Sequence, residues 1–396
     1  MGGDNARPHG PACAQEQFDG GKTMQRGADV QDGLTRRRFA AGAALAAALP
    51  GHAAVDPFAA LRRAALPVRQ PARALLLHAA AAAGRIVAVG ERGVVALSDD
   101  GAKRWRQARR VPVSVTLTAV RFADAKRGWA VGHGGVILTS ADGGETWDLQ
   151  ADGRTLAAAA ERAAAAQPDL AREAALLVRD GPDKPLFDLH IAGPRRLFVI
   201  GAFNLAFESA DGGASWSAAS GRIDNPKAQH LYALAARGSS WLIAGEQGLL
   251  LRSPDGGRSF QRLASPYAGT FFVALATDAG EWIVAGLRGN AFRSADDGQT
   301  WRKLEGAPPA GFVSACPLPG GGVLLANQSG QLFVVQAGVD ALQPLPGASL
   351  PPLAFAMPLP SGSGDPGDPG APRQPAGDTL ALTFAGALRL RGGKPA

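Results

Sequence analysis

From residue 74 onward, short apolar runs of about five residues alternate with turn-forming clusters, a pattern that predicts strands, not helices. Leu117–Trp147 sets the template: an apolar strand, then Gly128-Trp129-Ala130-Val131-Gly132, then Val136–Thr139, then the octet Ser140-Ala-Asp-Gly-Gly-Glu-Thr-Trp147. The octet returns at Ser209–Trp216, Ser253–Phe260 and Ser294–Trp301, with Asp142, Asp211, Asp255 and Asp296 at its third place. A degenerate copy, Ser98–Trp105, keeps Asp100 but displaces the glycine. The chemistry suits a hairpin turn: a short carboxylate accepts backbone N–H groups, glycine supplies positive φ, and a hydroxyl closes the loop. Trp105, Trp147, Trp216, Phe260 and Trp301 end the octets and are expected to plug the space between neighbouring sheets.

A second marker precedes each octet: Gly90–Gly93, Gly132–Gly135, Gly201–Asn204, Gly245–Gly248 and Gly286–Gly289, then weaker forms at Asn327–Gly330 and Thr383–Gly386. Each separates two apolar runs by a tight turn, as a hairpin loop does. The steps between their first residues are 42, 69, 44, 41, 41 and 56. Seven repeats of about 42 residues, each with about four short strands, predict an all-β fold, a seven-bladed β-propeller. The long first excess falls on the Ala-rich stretch 151–184, read as an inserted α-helical hairpin with Pro168 opening a helix. The second falls on 358–377, dense in Pro, Gly and Ser and read as a flexible loop. The propeller is assigned to 74–391. Its last repeat ends at Leu390 with its third strand, so segment 54–73 is expected to supply the missing outer strand and close the ring.

Ahead of this lies a leader. Thr35-Arg36-Arg37-Arg38-Phe39, the apolar run Ala40–Leu49 and the small-residue exit at Ala53 resemble a twin-arginine export signal, so 1–53 is read as cleaved, with Met24 as an alternative start to Met1. The apolar run is too short to span a bilayer, and a soluble periplasmic chain is expected. Cysteine agrees, since Cys316 alone remains beyond the cut and is read as a small core residue.

Charge adds little to the fold. The formal charge of +7 points to an acidic partner or surface, but no basic run beyond Arg36–Arg38 tracks a nucleic-acid backbone, and none is expected as partner. Beyond the leader, His78, His133, His190 and His230 fall in different repeats without ligand spacing, so no metal and no cofactor are expected.

The octets resemble the Asp-boxes of bacterial sialidase-type repeats. Together, Gly-Trp-Ala-Val-Gly and Ser-Ala-Asp-Gly-Gly-Glu-Thr-Trp resemble the photosystem II stability/assembly factor propellers, over roughly residues 74–390. Val94–Val115, Asp224-Asn-Pro-Lys and Pro266-Tyr-Ala-Gly-Thr-Phe-Phe are similar to an exported proteobacterial branch of that family. The resemblance implies a non-enzymatic assembly factor, in that branch one linked with RND-type exporters. A protein partner, a membrane complex, is therefore expected, with a monomeric chain and no small-molecule substrate.

If strands run outward through each blade, the octets share one face, and the tight turns share the opposite face with the connections between blades. That second face is expected to bind the partner through Glu91, Arg92, His133, Phe203, Asn204, His230, Glu246, Gln247, Tyr267, Arg288 and Asn290. The competing reading is a sialidase-like glycoside hydrolase acting on an acidic sugar, which needs a Tyr nucleophile beside a carboxylate; only Tyr232 and Tyr267 are available.

Overall fold

The structure, a computed structural model, describes residues 56, 58–319, 321–347, 350–360 and 377–396. The leader 1–53 and all but the ends of the 358–377 loop lie outside the described residues. Seven four-stranded antiparallel sheets follow one another along the chain, forming a seven-bladed β-propeller. Their innermost strands are Leu76–Ala82, Leu117–Phe122, Leu186–Ile191, Leu231–Arg237, Phe271–Ala276, Phe312–Pro317 and Leu353–Pro358. Each packs beside the next, and the seventh packs beside the first. The first residue of every one of these strands is at most 1% exposed, giving a ring of five Leu and two Phe between blades. Second strands such as Ile86–Val89 and Ile243–Ala244 are buried on both faces, which is why they read as unbroken apolar runs.

The tight-turn marker owes its first glycine to crowding. A β-carbon on Gly90, Gly132, Gly201, Gly245 or Gly286 would lie 2.0–2.3 Å from the carbonyl oxygen that precedes the innermost strand, and the next residue's N–H bonds to that same carbonyl, as Glu91 does to Leu75 at 3.0 Å.

The octets close as hydrogen-bonded turns. In the second blade Ser140 Oγ donates to Asp142 Oδ1 at 2.9 Å, while Asp142 accepts the N–H and hydroxyl of Thr146 at 2.9 and 2.7 Å. The pattern repeats around Asp211, Asp255 and Asp296. The hydroxyl and N–H of Thr300 hold the Asp296 carboxyl down to about 2. In the degenerate first octet Ala102 takes the glycine's left-handed place at φ 65 and Arg104 donates only its N–H to Asp100. Trp147, Trp216 and Phe260 are buried against the preceding blade, whereas Trp105 and Trp301 are only half-buried.

Two parts differ from expectation at the ends of the chain. The seventh blade takes its outer strand from Lys394–Pro395, so the propeller runs past residue 391 and needs no strand from the N-terminus. Such a short strand, without an octet or an aromatic, gives no sequence signal. Residues 58–73 instead form two 3-10 turns, Ala59–Leu61 and Pro71–Arg73. The first is a strap on the connection leaving blade 1: Ala65 N–H bonds to Val111 O and Ser114 N–H to Ala60 O, with Leu61 buried. The second touches the outer strands of blade 1 and the third strand of blade 7.

The inserted hairpin is present as α1 (Gly153–Ala166) and α2 (Ala171–Asp180), with Pro168 opening a short turn between them. Asp152 caps α1 by accepting from the N–H groups of Arg154 and Thr155. Leu156, Ala159, Ala174 and Leu177 bury the hairpin's apolar side in the core between blades 2 and 3. No helix among the described residues is long and apolar enough to cross a membrane.

Candidate binding face

The tight turns and the interblade connections do lie together on the face opposite the octets, because each blade is a simple antiparallel meander. The strap and the hairpin cover one side of it. Leu61 and Pro182 sit against the blade 2 turn at Gly134, and Ala65 sits against Gly93 in blade 1. His133 stays exposed beside them, with its imidazole held below the usual range by partial burial.

Blades 3 to 5 form the other side, where part of the expected set converges. Phe203 N–H donates to His230 Nδ1 at 2.9 Å, and the two rings meet edge to face at 4.5 Å. Asn204 Oδ1 accepts from Asn225 Nδ2 at 3.0 Å, and Asn225 also bonds to Gln229. Gln229 Nε2 donates to the Glu246 carbonyl at 2.8 Å, and Glu246 Oε2 accepts the His230 N–H at 3.2 Å. Asn204, Asn225 and Gln229 are buried, so this is a satisfied internal network that fixes the turn.

Other expected residues stand apart. Glu91, Arg92, Gln247 and Arg288 are exposed on their own turns, the last three in the left-handed region at φ 51–56. Arg92 and Arg288 make no salt bridge among the described residues. Tyr267 and Asn290 have internal duties. The Tyr267 ring packs on Phe271 and Phe292, and Asn290 Nδ2 donates to the carbonyl of Leu287 in its own turn.

The expected partner-binding set missed Phe187, Tyr232 and Phe272, Tyr232 having been named only for the hydrolase reading. Each is the second residue of an innermost strand, facing the central opening, where together with Thr118 and Val313 they line a cavity of about 170 Å³. Phe187 and Tyr232 rings lie 5.1 Å apart, as do Tyr232 and Phe272. Their shared register was the available signal: each follows the buried first residue of its strand. Deeper in the same opening Arg121 pairs with Asp188 at 2.9 Å. Neither tyrosine hydroxyl bonds to a carboxylate among the described residues, and no cluster of His, Cys, Asp and Glu there could hold a metal.

A family model described as photosynthesis system II assembly factor YCF48 matches residues 177–313, which span blades 3 to 5 and the start of blade 6. The chain is similar to such assembly factors. Among curated proteins it is 33% identical over 76 residues to the photosystem II assembly lipoprotein Ycf48 of Synechococcus sp. (strain CC9902), covering 19% of this chain and 23% of that relative's length. Among solved structures, YCF48 bound to D1 peptide aligns with a TM-score of 0.57 at 15% identity, covering 83% of this chain and 96% of that one. A xyloglucanase from Xanthomonas campestris aligns with a TM-score of 0.56 at 14% identity, covering 82% of this chain and 53% of the enzyme. At these identities the structural likenesses carry the fold alone.

Proposed function

We propose that this protein is a non-catalytic, exported assembly or binding factor that docks a membrane protein complex, such as an RND-type exporter, through the tight-turn face. The observation that carries the reading is the convergence of Phe203, His230 and Glu246 into a fixed, ring-bearing surface on the sector that the strap and hairpin leave open. The matched segment 177–313 includes this sector, and the assembly factors it resembles include one solved with a bound peptide. The twin-arginine-like leader supports export. A sialidase-like hydrolase is the weaker reading, since among the described residues neither tyrosine hydroxyl is paired with a carboxylate that could activate it.

The test is photocrosslinking in the periplasm of a host that makes the protein, with benzoylphenylalanine in place of the exposed Arg288. Covalent capture of an integral membrane protein is the expected result. Capture from an octet-face position such as Arg258, and not from 288, would move the binding surface to the other face. Release of sugar from sialyllactose by the purified protein would overturn the non-catalytic reading.

A further inference from the structure

Blade 3 breaks the rule its neighbours obey. In blades 1, 2, 4 and 5 the turn ends on a glycine at φ between 67 and 76, whereas blade 3 ends on Asn204 at φ 65, after Phe203 at φ 53 in the left-handed place that Arg92, Gln247 and Arg288 also take. β-Carbon sterics disfavour this conformation, and the Asn204–Asn225–Gln229 network holds it in place. The result is a phenylalanine 52% exposed on a rigid support. An aromatic row leads inward from it: Phe203 to His230 at 4.5 Å, His230 to Phe187 at 6.2 Å, Phe187 to Tyr232 and Tyr232 to Phe272 at 5.1 Å each. An exposed ring, a strained turn and a buried supporting network in one place mark a functional site more than a packing accident.

We propose that this row docks an extended peptide segment of the partner, with one large apolar side chain entering the channel mouth against Phe187, Tyr232 and Phe272 and the segment's backbone crossing Phe203. The proposal rests on the reading of this face as protein-binding. A cavity of about 170 Å³ has the scale of one large side chain. The polar pair at its floor, Arg121 and Asp188, is already mutually satisfied and leaves little to offer sugar hydroxyls. Several of the rings meet steeply, at 85° for Phe203 with His230 and 68° for Tyr232 with Phe272, so they form a notch and not the flat platform that stacks a sugar ring. Arg288 is exposed and makes no salt bridge among the described residues; its turn adjoins the row, since Leu287 N–H bonds to Thr270 O two residues before Phe272, and it favours an acidic residue flanking the apolar one.

Random seven-residue peptides displayed on phage, panned against the protein from residue 54 to 396, supply the probe, with affinities then read by fluorescence polarisation. Enrichment of peptides with a Leu, Ile, Phe or Trp beside Asp or Glu is expected. Phe203→Ser and, separately, Tyr232→Ala should each weaken the selected peptides tenfold or more, and Phe203→Ser should leave the melting temperature in place. Enrichment without an apolar residue overturns the proposal, as does undiminished binding to both variants. Xyloglucan heptasaccharide binding that is lost in Phe203→Ser, with no peptide enriched, also overturns it. If the peptides ignore both variants while crosslinking from position 288 still captures a membrane protein, this site is wrong and the broader reading stands.

Discussion

Asp297 Oδ1 accepts the indole N–H of Trp282 at 2.7 Å and, from the preceding blade, the hydroxyl of Ser240 at 2.8 Å. Arg252 of the same preceding blade closes on the other carboxylate oxygen. Asp297 stands at the fourth place of its octet, where three other octets carry Gly143, Gly212 and Gly256, and it shares their positive φ, at 64. Repeat consensus would replace it with glycine. Asp297→Gly relieves a small backbone strain but leaves the Trp282 N–H and Arg252 without their acceptor, so it should lower unfolding free energy by about 1–3 kcal/mol. Asp297→Asn, which retains an acceptor for the indole, should fall between. Urea denaturation of the three proteins checks the order, and a more stable glycine variant would show that the network contributes less than the strain.

The octet aromatics are not equivalent. Trp147 is fully buried between blades 1 and 2, and its indole N–H bonds to Gly144 O at 3.0 Å. Trp301 is half-buried and its indole nitrogen has no hydrogen-bond partner among the described residues. Trp147→Ala should therefore cost about 3–5 kcal/mol and Trp301→Ala roughly half of that. Thermal unfolding followed by circular dichroism would give the two shifts; equal shifts would contradict the difference in packing.

What the sequence made legible was what repeats and acts locally. The octet is a turn whose carboxylate, hydroxyl and glycine interact within eight residues, so Asp142 or Asp255 could be assigned from spacing. Pro168 and the Ala-rich run placed the hairpin for the same reason. The outer strand of the seventh blade was illegible because Lys394 and Pro395 follow two glycines, and what fits there is a close backbone approach: a β-carbon on Gly347 would lie 2.1 Å from Gly393 O. The aromatic row was hidden by distance along the chain. Phe187, Tyr232 and Phe272 are about 40–45 residues apart, and each reads alone as an ordinary strand residue beside its buried neighbour. The Asn204–Asn225 contact likewise needs the fold before it exists.

Stability should depend on pH through two half-buried histidines. His190 lies edge-on to Trp241 at 4.7 Å, and burial, helped by Arg121, pushes its imidazole down to about 4. His78 is also held well below its ordinary value, by burial and then Arg121. Both are neutral in the folded protein, whereas the unfolded chain takes up their protons near pH 6.5. Their contribution is thus complete above about pH 7 and is lost as pH falls from 6.5 toward 4, on the order of 2–3 kcal/mol for His190. The octet aspartates, stabilised as carboxylates, are expected to add a second loss below the ordinary carboxyl range. Melting temperature should fall between pH 7 and 4.5, and His190→Gln should flatten that slope; an unchanged slope would remove His190 from the account.

Removing residues 54–73 distinguishes a strap from a ring-closing strand. All seven blades keep their four strands without this segment, and blade 7 meets blade 1 through Leu76, Ile86, Phe355 and Leu380. A chain beginning at Ala74 should therefore remain a folded monomer, since loss of the segment leaves no new strand edge unpaired. It does lose the burial of Leu61 and the two backbone hydrogen bonds to Val111 and Ser114, so its melting temperature should drop by several degrees, in keeping with about 2–4 kcal/mol. Uncovering the blade 1 and 2 turns also lengthens the open sector of the tight-turn face. Crosslinking from position 133 should become more efficient in the shortened chain than in the full one, while crosslinking from 288 stays the same. Gel filtration, a melting curve and the paired crosslinks together decide it: aggregation of the shortened chain would return the segment to the role of an edge strand.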